Sequence, residues 1–366
     1  MVNAEIRDAG FLSELLPSVT EQLSKSGRSK RWAEDPVAWA EEYLGLEGQV
    51  WGKMRETMYS VRDNYGTGVA ASHGVSKSYT AGLIACWWIA THPLGETETF
   101  VATTAPSKVQ VDAVWSYIRS FHMLAQARFE AGLIEAPLPG YLTSGAEVRW
   151  KLPTGETIAQ GRKPPDNKSD IAFQGRHATN LLFIGDEATG LNKDMLEAGD
   201  NIATGARNRQ LLLLNPTDPS CEAAKMWPRD DDTEKRDGRK RWNFIRISMC
   251  DSPLVTLGEG IDLSKVDGMS GPETIERYQE KFAEDDPQYI SRVLGLWPWG
   301  AADGILFSEE TIARAHRTCV VPDSEEVYIQ FGVDVARSGK DHSVVYQARF
   351  GQVWEMDPET DKKVKP

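Results

Sequence analysis

The stretch VAASHGVSKSYTAG, residues 69–82, decides how the rest of the chain is interpreted. It approaches the phosphate-binding pattern G-x-x-x-x-G-K-[ST], with Lys77 and Ser78 at its end. Ala71 and Ser76 stand at the two glycine positions, and we expect both to be tolerated where the backbone φ is negative. A short apolar run precedes the loop and a helical pattern begins at Lys77. Strand, loop and helix therefore occur in the order that a phosphate loop requires.

A phosphate loop works through geometry: backbone N–H groups curl around an anion, a helix N-terminus faces it, and a lysine supplies a point charge. Taken alone, the stretch leaves open that a helix simply begins with Lys-Ser. On the phosphate-loop hypothesis, the residues predicted to bind the nucleotide here are Ser72, His73, Gly74, Val75, Ser76, Lys77 and Ser78.

A second signal lies about 110 residues beyond Lys77. The segment LLFIGDEA places Asp186 and Glu187 directly after a continuous apolar run, which is typical of a strand buried on both faces. In ATPases with a phosphate loop, such an aspartate binds Mg²⁺ through water or the loop serine, here Ser78. The following glutamate orients and deprotonates the attacking water. Acidic pairs are common at strand ends, so the order of the two motifs carries the prediction.

Two amides extend the predicted site. LLLLNPT ends another apolar run at Asn215, whose amide we expect to touch the γ-phosphate or the attacking water; a plain strand-end turn before Pro216 is the alternative. Gln49 is predicted to recognise the adenine edge, as in helicase-like ATPases, and a solvated glutamine on a helix is the alternative.

Composition bounds the class of protein. The 366 residues are enough for two domains, and 40% apolar content fits a globular chain. A net charge of −13 argues against a coat of positive charge around nucleic acid, although ARNRQ (206–210) leaves room for a local basic groove.

The longest apolar stretch is half of a membrane span, and no signal peptide is evident, so we expect a cytosolic protein. Four widely spaced cysteines predict neither a zinc site nor a disulfide framework, and any metal should be a hard ion held by carboxylates.

Strand-like runs alternate with helical patterns, which predicts a mostly parallel sheet flanked by helices. Helical spacing is found over 35–46, with Asp35 as a possible N-cap, over 48–63, from Lys108 behind a Ser107 cap, and over 271–295. The segment from 326 onward resembles a β-hairpin whose turn carries Ser-Gly-Lys-Asp.

The ordered set of Gln49, SHGVSKS, TTAPS, FQGRHATNLLFIGDEATG, LLLLNPTDP and FGVDVARSGKDHS is similar to the large terminase subunit of tailed bacteriophages, over roughly residues 35–350. The resemblance implies an α/β fold. A P-loop (RecA/ASCE-like) ATPase would be followed by a helical linker and the start of an RNase H-like nuclease. The implied divisions are a mobile arm at 1–34, the ATPase domain at 35–250, a linker or lid subdomain at 251–325, and the truncated nuclease at 326–366.

The implied activity is ATP hydrolysis with Mg²⁺, coupled to packaging of double-stranded DNA into a procapsid through the portal protein. The resemblance further implies a homo-oligomeric ring, a small terminase subunit as partner, and no membrane. The protein would act in the host cytoplasm, docked transiently on the portal and absent from the mature virion. An arginine shortly before the acidic pair would act on the neighbouring subunit's ATP; Arg176 best matches it, with Arg207 and Arg209 in reserve. His73 stands where the family often has a loop arginine.

The implied nuclease needs several carboxylates around Mg²⁺ or Mn²⁺ ions. Asp334 lies inside an apolar strand pattern, where a carboxylate is costly unless paired or metal-bound, and Asp341 begins the next predicted strand. About 30 residues follow Asp334, whereas such a domain needs more than about 100. We therefore expect the nuclease to be incomplete in this chain.

Two alternatives remain at this stage. A helicase-like or DNA-repair ATPase would share Gln49, Lys77 and the Asp186–Glu187 pair, but it would normally carry a second RecA-like domain with an arginine-bearing motif after residue 250. A non-catalytic portal adaptor with a degenerate P-loop would explain the two replaced glycines.

Overall fold

In this computed structural model the described residues are 30–95, 98–145, 147–163, 177–227, 241–258, 260–266 and 268–299, together with three strands between 329 and 356. The chain divides into two compact units, Met1–Pro298 and Trp299–Pro366. The first unit includes residues 251–298 of the predicted linker. The domain boundaries given above stay predictions.

The first unit is built on an eight-stranded sheet in the order β3-β4-β5-β2-β6-β7-β1-β8. Neighbours from β5 to β8 in this order are parallel, while β3 and β4 join as an antiparallel edge. The predicted mostly parallel α/β sheet is therefore confirmed. The strands are β1 Gly66–Ala71, β2 Thr99–Thr104, β3 Tyr141–Leu142, β4 Val148–Lys151, β5 Thr157–Arg162, β6 Asn180–Gly185, β7 Arg209–Leu214 and β8 Trp242–Ile247.

Helices connect and cover these strands. They are α1 Lys30–Glu34, α2 Pro36–Ala38, α3 Gly52–Asp63, α4 Lys77–Thr91, α5 Lys108–Glu130, α6 Lys193–Ile202, α7 Pro253–Thr256, α8 Pro272–Gln279 and α9 Pro287–Arg292. Single 3₁₀ turns occur at Ala188–Gly190, Ala224–Met226, Met249–Asp251 and Leu263–Lys265, and a π-helical turn spans Trp39–Tyr43.

The central element of the core is α4, the helix that follows the phosphate-loop stretch. Every residue from Thr80 to Ala90 is buried, because the helix lies between the sheet and α5. Gly82 allows the close approach to α5, since a Cβ there would lie 2.8 Å from Cβ of Tyr117. This packing holds the N-terminus of α4 firmly at the edge of the sheet. No helix in the described part of the chain is both long and apolar enough to cross a bilayer.

Two of the predicted helix boundaries hold well. α4 begins at Lys77, as the pattern indicated, and α5 begins behind Ser107, whose side chain and Gln110 form the reciprocal bonds of a capping box. Asp35 also caps as expected, accepting from the backbone N–H of Ala38 at 2.9 Å, although the helix passes into a π-helical turn after three residues.

The continuous helix predicted over 271–295 is wrong. The structure has two short helices there, α8 and α9, separated at Glu280–Asp286. Pro287 has no N–H to continue a helix and disfavours helical backbone at the residue before it. Asp286 instead caps α9 by accepting from the backbone N–H of Gln288 at 2.7 Å.

The second unit shows a three-stranded antiparallel sheet, β9 Ile329–Asp334, β10 Val344–Arg349 and β11 Gln352–Met356, in the order β11-β10-β9. The predicted pairing of the first two strands is present, with Asp334 opposite Val344. The turn residues between them lie outside the described part. The third strand was not predicted.

Candidate active site

The predicted site residues meet at one edge of the sheet. β7 lies between β1 and β6, and all three run parallel, so their carboxyl ends share that edge. The loop after Ala71, the acidic pair after Gly185, and Asn215 after Leu214 follow these three ends directly. Ligands of open parallel sheets bind at such an edge. Residues separated by more than 100 positions are thereby brought into contact.

The loop between β1 and α4 has the form of an anion cradle. Within the described residues, no acceptor is found for the backbone N–H groups of Gly74, Val75, Ser76, Lys77 and Ser78. The last two open the first turn of α4, where the helix dipole favours a negative charge. The side-chain hydroxyl of Ser72 is also fully buried without a hydrogen-bond partner. These unsatisfied groups match the oxygens of a phosphate chain.

The expectation that Ser76 sits at negative φ is wrong. Its φ is +59°, in the left-handed region that favours glycine. Two hydrogen bonds stabilise it there: the hydroxyl donates to the carbonyl of Val75 at 2.8 Å and accepts from Nε1 of Trp51 at 3.1 Å. Ala71, the other replaced glycine, ends β1 and needs no unusual backbone. The loop conformation is therefore kept without the second glycine.

Lys77 extends back along the loop and donates from Nζ to the carbonyl of Ser72 at 3.0 Å. Burial lowers the pKa of this ammonium, while the nearby carboxylates of Glu187 and Asp186 act in the opposite direction. The negative charges of these two carboxylates stabilise the charged form of Lys77 from the end of β6. The lysine and the acidic pair thus form one electrostatic unit.

Ser78 and Asp186 are in direct contact. The serine hydroxyl donates to Oδ2 of Asp186 at 2.7 Å, and the aspartate backbone N–H donates to the carbonyl of Thr104 at 2.9 Å. Burial raises the pKa of Asp186, and the bond from Ser78 and the charge of Lys77 oppose that rise. A hydroxyl and a carboxylate fit Mg²⁺, which uses one or two protein oxygens together with water and substrate phosphates. Anywhere among the described residues, no three His, Cys, Asp or Glu side chains converge on a metal position.

Glu187 faces the same cluster from a left-handed backbone position, φ +48°. Burial raises the pKa of its carboxyl; the ammonium of Lys77 and a backbone hydrogen bond from Asn215 lower it, and Asp186 raises it further. This left-handed backbone ends the extended run of β6 directly after Asp186. A carboxylate so placed is suited to accept a proton from a water molecule.

Asn215 lies in the site, but its side chain is used within the protein. Nδ2 donates to the carbonyl of Ala71 at 2.6 Å, and the carbonyl of Asn215 accepts from the hydroxyl of Thr189 at 2.8 Å. Thr189 follows the acidic pair and Ala71 precedes the loop. Asn215 therefore links the two motifs across β7, and contact with a γ-phosphate stays a prediction.

Gln49 is not a helical residue, since α3 begins at Gly52. The alternative of a solvated helix glutamine is therefore wrong. Its backbone N–H donates to the carbonyl of Leu46 at 3.0 Å, in the loop that leads to Trp51 and so to Ser76. The predicted contact with adenine is not tested by these contacts and stays a prediction.

Three residues that sequence reasoning missed support the loop from behind. Ser270 donates from its backbone N–H to the carbonyl of Gly74 at 2.9 Å and from its hydroxyl to the carbonyl of His73 at 3.1 Å. The carbonyl of Arg292 accepts from the N–H of His73 at 3.3 Å. Gly295, at φ +64°, packs against the end of β8. No local pattern marks these contacts, because Ser270 and Arg292 lie about 200 residues from the loop and Gly295 lies about 50 residues from the end of β8.

We expect Gly295→Ala to destabilise the first unit by about 2–4 kcal/mol. A Cβ there would lie 2.3 Å from the carbonyl oxygen of Ile247 and 3.2 Å from the backbone nitrogen of Ser72. Gly132→Ala is the matched control, since its φ is +70° and nothing lies within 4 Å of the added carbon. That control should cost about 1–2 kcal/mol for the backbone alone. Urea unfolding measures both, and equal losses would mean that Gly295 has no packing role.

The remaining predicted residues lie at the other end of β7, in the second unit, or outside the described residues. Arg209 begins β7, and Arg207 precedes it, at the end of that strand opposite to Asn215. Neither can therefore reach the site of its own chain. Arg176 and Asp341 lie outside the described residues, and Asp334 is the last residue of β9. The roles predicted for these residues stay predictions.

Fold and site together define a class: an α/β protein with a P-loop-like turn and an acidic pair on the edge of a parallel sheet. Over 329 residues the chain is 28% identical to a protein of Enterobacteria phage P7 described as "Probable terminase, large subunit". The match covers 86% of this chain and 60% of that protein. The chain thus spans about 60% of the length of the curated relative that it matches, and the resemblance to large terminase subunits is confirmed.

Solved structures of the same kind are also similar. The large terminase of bacteriophage HK97 has a TM-score of 0.49 at 12% identity, covering 84% of this chain and 64% of its own. The large terminase of a thermophilic bacteriophage in complex with ADP has a TM-score of 0.45 at 14% identity, covering 86% and 71%. The large terminase ATPase domain of Thermus phage P74-26 gives 0.42 at 12%, covering 66% and 93%. No protein-family model matches the chain.

Proposed function

We propose that this chain is an ATP-driven motor that packages viral double-stranded DNA into a procapsid through the portal. The observation that supports this most is the cluster formed by Lys77, Ser78, Asp186 and Glu187 beside a loop of unsatisfied N–H groups. The similarity to a phage large terminase subunit supplies the biological setting. The proposal extends to a ring of copies acting with a portal protein and a small terminase subunit.

In the proposed reaction each group has one task. The N–H groups of residues 74–78 and the ammonium of Lys77 bind the phosphates and stabilise the charge that develops on the transferred group. Ser78 and Asp186 hold Mg²⁺, which neutralises phosphate charge when bound. Glu187 orients a water molecule and takes its proton as the water oxygen bonds to the γ-phosphorus and the bond from that phosphorus to the bridging oxygen of ADP breaks. Glu187 then returns this proton to the solvent. The product phosphate and ADP then leave the edge of the sheet.

Hydrogen bonds in the site also connect the acidic pair with the phosphate loop, and they could transmit the effect of ATP hydrolysis between them. Thr189, Asn215 and Ala71 are joined by hydrogen bonds in series, from the segment behind Glu187 to the start of the phosphate loop. Glu187 lies two residues before Thr189, where this series of hydrogen bonds begins. Protonation of Glu187 therefore occurs close to a set of contacts that ends at Ala71, directly before the phosphate loop. We include Arg176 of a neighbouring copy as the residue that completes the site, and Asp334 with Asp341 as part of the nuclease, on the resemblance alone.

The test of the motor is the dependence of ATP turnover on its substrates. We expect turnover by the purified chain to rise several-fold with double-stranded DNA and portal-bearing procapsids together, because force on DNA requires both. Single-stranded DNA at equal nucleotide concentration is the control. Stimulation by single strands without procapsids would favour a helicase-like or repair ATPase, and absence of any turnover would favour a non-catalytic adaptor.

A further inference from the structure

The phosphate loop of this chain carries no arginine, but an arginine from another segment lies against it. Arg292 is the last residue of α9, and its carbonyl accepts from the backbone N–H of His73 at 3.3 Å. Gly295 approaches the backbone of Ser72 three residues later. The end of α9 is thereby placed at the loop that holds the unsatisfied N–H groups.

Among the described residues, no hydrogen-bond partner is found for Nε of the Arg292 guanidinium. Its Nε is buried and has no acceptor, and no carboxylate in the described residues forms an ion pair with it. Three other arginines of the same unit form ion pairs: Arg55 with Glu41, Arg62 with Asp63, and Arg162 with Glu147. A buried donor without an acceptor costs free energy, so an acceptor beside Nε would stabilise Arg292, and an anion is the strongest such acceptor.

The charge of Arg292 acts on the loop itself. The pKa of His73 is lowered by burial first, and then by the charges of Lys77 and Arg292. Both cations therefore act on the same loop residue, one from inside the loop and one from α9. The charges of both side chains would favour an anion bound at this loop.

We propose that Arg292 binds the phosphate groups of the nucleotide held by residues 72–78 of its own chain. This inference rests on the proposed ATP site, and the guanidinium would add a second positive charge from α9 to that of Lys77 in the loop. The planar guanidinium offers several donors in a fork that matches two phosphate oxygens, whereas an ammonium acts only as a point charge. The segment after β8 thereby becomes part of the nucleotide site.

The test is nucleotide affinity measured by calorimetry on the full chain with ATP and with ADP. Arg292→Met keeps the length and apolar stem of the side chain and removes the charge. We expect it to weaken binding of both nucleotides about tenfold or more, because charge-assisted hydrogen bonds are lost. Arg292→Lys should lose less. Arg277→Met, on the exposed face of α8, should bind like the parent.

Thermal unfolding separates this role from a structural one. Without nucleotide, Arg292→Met should melt at or above the temperature of the parent, because an unpaired buried donor is removed, and the stabilisation by added ADP should shrink. The inference is overturned if Arg292→Met binds both nucleotides within twofold of the parent while Lys77→Ala does not bind. It is also overturned if the variant melts lower and keeps the full ADP shift. A parent chain that binds neither nucleotide would instead remove the proposed function itself.

Discussion

Lys77→Ala is expected to reduce ATP turnover about 10²- to 10³-fold or more. This is the usual effect of removing one preorganised hydrogen-bond donor from an active site. The ammonium lies 3.0 Å from the carbonyl of Ser72 and within electrostatic range of Glu187 and Asp186, so its removal deprives the phosphates of their nearest fixed cation. Release of inorganic phosphate under saturating Mg²⁺ and DNA measures the loss. Circular dichroism and thermal unfolding should show that the sheet and α4 are intact, since the buried part of α4 begins beyond Lys77 at Thr80.

Lys193→Ala is the matched control for this experiment. Its side chain is 69% exposed and pairs with Glu197 on the surface of α6, so turnover should stay at the level of the parent. Unchanged turnover in Lys77→Ala would remove the phosphate-loop assignment, whatever the resemblance to terminases.

Glu187→Gln is expected to keep nucleotide affinity and to lower turnover by about 10²- to 10⁴-fold, the usual contribution of a general base. The amide preserves size and the left-handed backbone position, φ +48°, but cannot take a proton from water. Asp186→Asn should behave differently, because it removes one negative charge from the contact with Ser78 and weakens affinity in a Mg²⁺-dependent way. Calorimetry with and without Mg²⁺, together with phosphate release, distinguishes the two.

Glu197→Gln serves as the control for a loss of charge on a surface helix, and its side chain is 57% exposed. Should Glu187→Gln and Asp186→Asn weaken binding equally while turnover per bound nucleotide stays normal, the division of tasks between the two acids is wrong. Normal turnover in Glu187→Gln alone would mean that another residue acts as the general base.

The parts of the fold that were predicted correctly share one property: their signals are local. β1, β6 and β7 each contain a short apolar run, and α4 and α5 have helical spacing with clear starts, so each pattern could be recognised within about 20 residues. The strands β3, β4, β5 and β8 were missed. β4 alternates buried and partly exposed residues over only four positions, and β8 is half-exposed at an edge of the sheet, so neither carries a strong apolar run.

The site shows the same division. The order of Lys77, Asp186 and Asn215 along strand ends was sufficient to predict that they converge, because parallel strands deliver their carboxyl ends to one edge. The conformation of Ser76 was not predictable in this way. Its positive φ is compensated by a hydrogen bond from Trp51, and nothing in the spacing of the loop indicates that a tryptophan 25 positions earlier reaches it.

The amino-acid sequence by itself determined the class of fold, the position of the phosphate loop and the identity of the acidic pair, since each depends on residue type and on spacing within one strand–loop–helix unit. Only the tertiary structure decided what surrounds them. The loop is supported by Ser270, Arg292 and Gly295, and Asn215 donates its amide N–H to Ala71. The physical reason is that these contacts are made across the sheet and between distant segments, where distance and the need to satisfy buried polar groups select the partner.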